Sequence, residues 1–263
     1  MDLNLTNKVI IVTGGSKGID WGITTCLAAE GAIPIVVGRN EKDVLKAVQT
    51  IKERGGTATY ALAELTDVEQ CKKAVEKVIK EFGRIDGLVN NAGVNDGVGL
   101  ENGNYADFMR SIERNLTHYY MMAHLSLPYL KVSKGAIVNI GSKTSLTGQG
   151  GTSGYAAANG GRNALTREWA VELLPYSIRV NAVIVAECYT PLYDRWIKTF
   201  DNPTEKLAAI TKKIPLENRM TSSQEIADMV AFLLSSRSSH TTGQLIFVDG
   251  GYTHLDRALL ADV

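Results

Sequence analysis

The chain has 263 residues, with 28 Lys or Arg against 28 Asp or Glu, so its formal net charge is zero. Nucleic acid and anionic membranes attract proteins with a basic excess, so neither is expected as the main partner. The three cysteines show no metal-binding or disulfide spacing, and no apolar run approaches the roughly 18 residues of a membrane span. With no signal-like start, we expect a cytoplasmic protein that holds no metal.

Apolar segments of strand length alternate with helical segments along nearly the whole chain. Strands are predicted at residues 8–13, 33–37, 57–62, 87–90, 136–140, 179–185 and 245–248. Helices are predicted from the glycines after the first strand to residue 30, and at 41–54, 68–82, 105–130, 155–174 and 223–234. Strands that are apolar on both faces and separated by helices belong to parallel sheets covered on both sides. We therefore predict an α/β fold, a Rossmann-type doubly wound parallel β-sheet of about seven strands, forming a single domain over residues 1–263.

Residues 190–215 depart from this alternation, because they contain no predicted strand. The segment follows the sixth strand, and ligands of open α/β sheets bind at the carboxyl ends of the strands. Long connections of this kind often serve as lids over a bound molecule. The segment is therefore predicted to be an insertion that covers the substrate.

A glycine-rich turn, Thr13–Asp20 with the sequence TGGSKGID, follows the first strand. Glycines allow a tight turn and a close backbone approach to a pyrophosphate, whose charge then lies at the following helix N-terminus. The spacing differs from the G-x-G-x-x-G fingerprint, so an ordinary strand-to-helix turn is the alternative. Its place in the first strand–helix unit favours dinucleotide binding.

Further motifs lie at the ends of later elements. Asn90–Gly93 reads NNAG, Ser142 precedes Tyr155 by thirteen residues, and residues 248–251 read VDGG. With the glycine turn and Asn115, these motifs resemble the short-chain dehydrogenase/reductase family over nearly the whole chain. Other segments, at 94–97, 142–150, 166–169 and 251–257, are similar to bacterial L-fucose dehydrogenases within that family.

The resemblance implies an NAD(P) cofactor. The implied binding residues lie in the glycine turn, after the second, third and fourth strands, and at the start of the insertion: Gly14, Ser16, Lys17, Gly18, Ile19, Arg39, Glu64, Leu65, Asn91, Ala92, Gly93 and Thr190. NAD-binding folds often place an acid at the end of the second strand, where this chain has Arg39. Arg39 and Lys17 suit a phosphate and favour NADP, with NAD possible. The alternative is that both are solvated surface cations. Glu64 matches an acid that contacts the adenine, or it simply faces solvent.

Catalytic roles also follow from the resemblance. Tyr155 corresponds to the base, Ser142 to the residue that holds the substrate oxygen, and Asn115 to a residue that carries a water. Phenol has a reference pKa of about 10, and the family lowers it with a lysine four residues after the tyrosine. This chain has Asn159 there, which could bind the cofactor ribose but carries no charge. One lost pKa unit corresponds to about 1.4 kcal/mol, or tenfold in phenolate.

Three further charged residues bear on the cofactor or on Tyr155. Asp20 replaces the family's third turn glycine and would repel a pyrophosphate. Arg162, seven residues after Tyr155 on the same helix face, could replace the missing cation, as could Lys143 beside Ser142. A salt bridge or a subunit contact is the alternative for both basic residues.

The polar residues near the predicted site suit a polyhydroxylated substrate, which needs several directional partners. They are Asn95, Gln149 and Glu187, and Trp196 could stack on a sugar face or pack within the insertion. We expect an NAD(P)-dependent oxidoreductase of a sugar or similar secondary alcohol, resembling L-fucose dehydrogenase. The alternative is a catalytically impaired dinucleotide- or sugar-binding relative, because of Asn159 and Asp20. The resemblance also implies a homotetramer or homodimer.

Overall fold

Seven parallel strands form one sheet at the centre of the computed structural model, which describes residues 1–256. The strand order is β3-β2-β1-β4-β5-β6-β7. The strands are β1 (Val9–Thr13), β2 (Ile33–Gly38), β3 (Thr59–Leu62), β4 (Gly87–Asn90), β5 (Ala136–Ser142), β6 (Arg179–Val185) and β7 (Leu245–Val248). The last residue of the similar C-terminal segment, Arg257, lies outside the described residues.

Helices cover both faces of this sheet. They are α1 (Ile19–Ala29), α2 (Glu41–Glu53), α3 (Val68–Phe82), α4 (Tyr105–Ile112), α5 (His118–Ser133), α6 (Ser153–Glu172), α7 (Pro191–Ile197), α8 (Pro203–Thr211) and α9 (Ser223–Leu234). Alternate residues of the strands pack on opposite layers: Ile11 joins the core beneath α3, α5 and α6, whereas Ile10 joins the core beneath α1 and α9. The predicted doubly wound sheet is confirmed. No helix within residues 1–256 has the length and apolar character needed to cross a bilayer.

The predicted helix at 105–130 is present, but it is not α-helical throughout. Residues Glu113–Thr117 form a π-helical turn between α4 and α5. A π-turn shifts the backbone hydrogen-bond ladder by one residue, and such insertions often lie at functional sites. The backbone carbonyl of Asn115, within this turn, accepts a hydrogen bond from Arg162. Hydrophobic periodicity does not reveal a single extra residue within a helix.

A close contact between α1 and α9 gives a test of the packing. A Cβ on Gly22 would lie 2.7 Å from the carbonyl oxygen of Ser223 at the start of α9. Overpacking costs about 1–3 kcal/mol, so we expect Gly22→Ala to lower the free energy of unfolding in urea by about 2 kcal/mol.

Gly160 in α6 provides the matched control, because no atom lies within 4 Å of the position of its Cβ. Gly160→Ala is expected to raise the free energy of unfolding by about 0.5–1 kcal/mol, since alanine is the better helix former. Equal stability of both variants and the unmodified protein would contradict the tight α1–α9 packing.

Candidate active site

A cleft of about 330 Å³ lies at the carboxyl ends of the strands, beside the neighbouring strands β1 and β4, where the strand order reverses direction. In open α/β sheets this is the usual ligand position. The cleft is lined by many of the predicted site residues, from separate parts of the chain: Lys17, Gly18, Ile19, Asn91, Ala92, Gly93, Asn95, Ser142, Tyr155 and Thr190. Asp20 and Arg162 line it as well. The fold thus brings the glycine turn and the Ser–Tyr pair to one place.

The glycine turn has the geometry that an anion requires. Gly15 has φ +58°, and a Cβ there would lie 2.6 Å from the side chain of Val36. Gly18, with φ +66°, caps α1 without a side-chain hydrogen bond, so the first N–H groups of the helix have no side-chain acceptor there. Such a helix start attracts phosphate groups. The turn therefore fits a pyrophosphate, and Gly14 and Ser16 belong to it.

Thr13, which the sequence reasoning did not single out, joins this turn to the NNAG segment. Its buried hydroxyl accepts hydrogen bonds from the backbone N–H groups of Asn91 at 2.9 Å and Ala92 at 3.3 Å. It donates to the carbonyl of Val89. In the sequence, a threonine at the end of an apolar strand is the feature that could have indicated this role.

Asp20 occupies the space beside Gly14. A Cβ on Gly14 would lie 2.9 Å from the carboxyl carbon of Asp20. The side-chain amide of Asn91 donates a hydrogen bond to the Asp20 carboxyl group. Burial raises the pKa of Asp20 to about 7, although the hydrogen bond from Asn91 opposes the shift. The carboxyl group is therefore largely neutral below pH 7 and charged above it.

Tyr155 lies in the first turn of α6, and Ser142 ends β5. Both are half-buried and line the cleft. The Ser142 Oγ accepts hydrogen bonds from the backbone N–H of Thr144 at 3.3 Å and from its hydroxyl at 3.1 Å. These contacts leave the Ser142 proton available to a ligand.

Asn159 is fully buried behind Tyr155. Its Nδ2 donates to the backbone carbonyl of Tyr155 at 2.9 Å, and its Oδ1 accepts from Arg162 Nη1 at 3.1 Å. Both ends of the amide are thus engaged inside the protein. Its assignment as a ribose ligand stays a prediction.

Asn115 lies in the π-turn, and all of its polar groups have partners. Its Oδ1 accepts from the backbone N–H of Val94 at 2.8 Å, and its Nδ2 donates to the carbonyl of Ser111 at 3.0 Å. Its backbone carbonyl accepts from Arg162 Nε at 2.7 Å. Asn115 therefore holds both the segment after β4 and the guanidinium group of Arg162.

Lys143 and Glu187 form an ion pair with each other, and both side chains are largely buried. The Lys143 Nζ also lies 4.0 Å from the centre of the Tyr252 ring. The salt-bridge alternative considered for Lys143 therefore holds. Glu187, predicted to bind substrate, is the partner of this lysine.

The two basic residues assigned to the cofactor phosphate also have carboxylate partners. Arg39 Nη1 lies 2.8 Å from Glu64 Oε2, and Lys17 Nζ lies 2.5 Å from Asp43 Oδ2. Exposure of the Arg39 side chain is 76%, so its guanidinium group is accessible to a ligand despite the pair. Leu65, next to Glu64, packs on the core beneath α3.

The remaining predicted substrate residues lie toward the outside. Trp196 in α7 packs edge-on against Tyr193 and Phe200, with ring centres 5.0 Å apart in each case, and its side chain is partly exposed. Gln149 is exposed in the loop before α6, beside a separate surface depression. Within residues 1–256, no group of three or more His, Cys, Asp or Glu side chains is placed to hold a metal ion.

Known proteins resemble this chain over nearly its whole length. A family model described as enoyl-(acyl carrier protein) reductase matches residues 14–253. The 3-oxoacyl-(acyl-carrier-protein) reductase of Thermotoga maritima is 34% identical over 250 residues, which cover 95% of this chain and 99% of the relative. The L-fucose dehydrogenase of Bos taurus is 32% identical over 252 residues, which cover 95% of this chain and 91% of the relative.

Solved structures give the same result. The crystal structure of Cj0485 dehydrogenase matches with a TM-score of 0.93 and 45% identity, covering 98% of each chain. Levodione reductase matches with a TM-score of 0.91 and 31% identity, covering 96% of this chain and 100% of the other. The fold is thus shared with oxidoreductases.

Proposed function

Because the chain belongs to the short-chain dehydrogenase/reductase family, we propose that it oxidises a secondary alcohol of a sugar with NADP, as an L-fucose dehydrogenase-like enzyme. The observation that carries the proposal is the meeting of Ser142 and Tyr155 with an anion-binding glycine turn in one cleft. The similarity to L-fucose dehydrogenase supports the substrate class, as do the polar side chains at the cleft.

The proposed chemistry assigns one task to each side chain. A bound nicotinamide dinucleotide would supply the hydride acceptor, held by the glycine turn, the NNAG segment and Thr190. The Ser142 hydroxyl donates a hydrogen bond to the substrate oxygen and fixes its position. The Tyr155 phenolate oxygen accepts the hydroxyl proton as the C–H bond gives up its hydride, so the alcohol becomes a carbonyl compound.

The cofactor preference gives a prediction on Arg39. Arg39→Leu is expected to weaken NADP binding about tenfold, because a charge-assisted hydrogen bond contributes about 1.5–3 kcal/mol. NAD lacks the extra phosphate, so NAD binding to the same variant serves as the internal control and should stay unchanged. Calorimetric titration with each dinucleotide measures both values. Equal losses for NADP and NAD would contradict the assignment of Arg39.

A second function, a dinucleotide- or sugar-binding protein with impaired catalysis, is favoured by two observations. Asn159 brings no positive charge to Tyr155, and Asp20 brings a carboxyl group into the cofactor cleft. The two functions differ in turnover rather than in binding.

Calorimetry with NADP and NAD, followed by turnover assays on aldoses including L-fucose and on cyclic secondary alcohols, tests the proposal. We expect binding of NADP and formation of reduced nicotinamide with at least one sugar. Binding without turnover at any pH would favour the impaired relative. Failure to bind either dinucleotide would contradict both functions.

We also propose a homodimer or homotetramer. Large apolar side chains are exposed on α5, near the end of α6 and in the turn that follows α6: Tyr120 at 52%, Val171 at 67% and Leu174 at 58%. Exposed apolar patches of this kind commonly mark subunit interfaces. Light scattering in solution should report a mass of two or four chains, and a monomer would contradict this assignment.

A reducing compartment, the cytoplasm, is the location that we propose. Cys26, Cys71 and Cys188 are buried and free. Burial raises the pKa of each thiol, to about 11 for Cys71 and to about 12 for the other two. Thiols held in the protonated form react slowly, so this chain does not depend on disulfide chemistry. Thiol labelling of protein taken directly from cells should find all three cysteines reduced.

A further inference from the structure

We propose that Arg162 supplies the positive charge that favours the Tyr155 phenolate, in place of the lysine that this chain lacks at Asn159. The inference rests on the proposed function and concerns the same site. Arg162 would be a positioning residue, because it acts on Tyr155 rather than on the substrate. Four features of the structure support it.

The first feature is an enclosed guanidinium group with neutral partners. The exposed fraction of Arg162 is 3%. Its Nε donates to the carbonyl of Asn115 at 2.7 Å, and its Nη1 donates to the carbonyl of Ile140 at 3.2 Å and to Asn159 Oδ1 at 3.1 Å. No carboxylate among residues 1–256 lies within ion-pair distance of it. Arginine does not lose its proton in proteins, so a full positive charge stays in the site.

The second feature is the orientation of this group toward the cleft. Arg162 lines the cleft together with Tyr155 and Ser142. Its Nη2 atom has no hydrogen-bond partner within the described part of the chain. A Cβ on Gly93 would lie 2.8 Å from Nη2, so the glycine of the NNAG segment makes room for the guanidinium group. Buried polar groups normally have partners, and an unpaired one at a cleft indicates a functional task.

The third feature is the link to Tyr155. The Asn159 amide bridges the backbone carbonyl of Tyr155 and the guanidinium group of Arg162. A lysine at position 159 would bring a second cation against Arg162, and like charges in a buried place repel each other. Asn159 and Arg162 therefore fit together as a pair. The positive charge thus lies on Arg162, three residues further along α6, and the neutral Asn159 amide holds the guanidinium group in place.

The fourth feature is the charge of the other titratable groups around Arg162. Burial, followed by the charge of Arg162, lowers the pKa of His118 to about 4, so this imidazole is neutral near pH 7. The Tyr119 ring lies 4.3 Å from the guanidinium carbon, and burial keeps its phenol protonated by raising its pKa. Lys143 is neutralised by Glu187. Asp20, from α1, is the acid whose charge could offset Arg162 above pH 7.

The test uses Arg162→Gln, which keeps hydrogen-bonding groups but removes the charge. We expect the pH midpoint of kcat/KM for alcohol oxidation to rise by at least about one pH unit, which is a tenfold loss below the midpoint. At high pH the rates of the variant and the unmodified protein should converge. A purely structural role would instead lower the rate equally at every pH.

The double variant N159K/R162Q provides the rescue. A lysine at position 159 then supplies the charge, so the midpoint should return to that of the unmodified protein. If the double variant instead keeps the midpoint of Arg162→Gln, the positive charge of Arg162 is not what sets the midpoint, and the proposal is contradicted.

A direct titration separates this inference from the proposed function. The phenolate absorbance of the protein minus that of its Tyr155→Phe variant reports Tyr155 alone, without cofactor or substrate. The midpoint should lie at least about one unit below the phenol value of about 10, and Arg162→Gln should raise it. A midpoint near the phenol value overturns the proposal, even where Arg162→Gln does not fold. A lowered midpoint without turnover on any alcohol would overturn the proposed function and leave the role of Arg162 standing.

Discussion

Tyr155→Phe is expected to lower alcohol turnover by about 10²–10⁴-fold, the contribution of a positioned acid–base group. Phenylalanine fills the same space at the start of α6 but has no oxygen to accept the substrate proton. Because Tyr155 lines the cleft beside Ser142, whereas the glycine turn is the proposed site of the dinucleotide, cofactor affinity should be unchanged. The initial rate of nicotinamide reduction and a calorimetric titration measure the two quantities.

Tyr105→Phe serves as the control for this variant. Tyr105 begins α4, and 79% of its surface is exposed to solvent. It also loses a phenolic oxygen, but that oxygen lies outside the cleft, so the rate should equal that of the unmodified protein. Full turnover by Tyr155→Phe would show that another group accepts the proton.

Asp20→Asn is expected to produce the second large effect, on cofactor affinity and its dependence on pH. The pKa of Asp20 is raised to about 7, so the group is neutral below this value and becomes a carboxylate above it. The carboxylate would then repel the pyrophosphate, and two charges about 8 Å apart interact by about 2 kcal/mol at an effective dielectric of about 20. Affinity of the unmodified protein should therefore fall as the pH rises through 7, and the asparagine variant should keep it.

Calorimetry at about pH 5.5 and about pH 8.5 measures this difference, since a tenfold change in affinity corresponds to about 1.4 kcal/mol. Above pH 7 we expect Asp20→Asn to bind about tenfold more tightly, and below it the two proteins should bind alike. Asp67→Asn at the start of α3 is the control, because asparagine also caps a helix there. An unmodified protein with equal affinity at both pH values would contradict the role of Asp20.

The fold could be predicted because each strand and helix is recognisable from neighbouring residues, and the strand–helix pattern repeats along the chain. Strand segments such as VIIVT at Val9–Thr13 are apolar on both faces, and each is followed by a helical segment. The ends of β4, β6 and β7 agree with the predictions, because Asn, Pro or Gly residues mark the following turns. The π-turn at Glu113–Thr117 could not be predicted, because hydrophobic periodicity does not reveal a single extra residue within a helix. Its contact between Asn115 and Arg162 joins residues that are far apart in the sequence.

The residues that line the cleft could be predicted in part, but the partners of the charged side chains could not. Motif spacing identified Ser142, Tyr155 and the glycine turn, which the sheet brings to one cleft. Whether a charged side chain has a partner depends on residues far away in sequence, as for Arg39 with Glu64. For Lys143 the salt-bridge interpretation is right, whereas for Arg162 the structure has no acidic partner among residues 1–256. The sequence alone does not reveal that Lys143 has a carboxylate partner and that Arg162 has none among the described residues.

The rate of nicotinamide reduction by the unmodified protein as a function of pH tests the central claim most directly, that the protein oxidises an alcohol with Tyr155 as the base and without the usual lysine. With NADP and the best sugar of the panel, we predict reduced nicotinamide in proportion to product, with a rate that rises to half its maximum below the phenol value of about 10. Tight binding of NADP with no reduced nicotinamide from any sugar or secondary alcohol, at any pH, would contradict the claim.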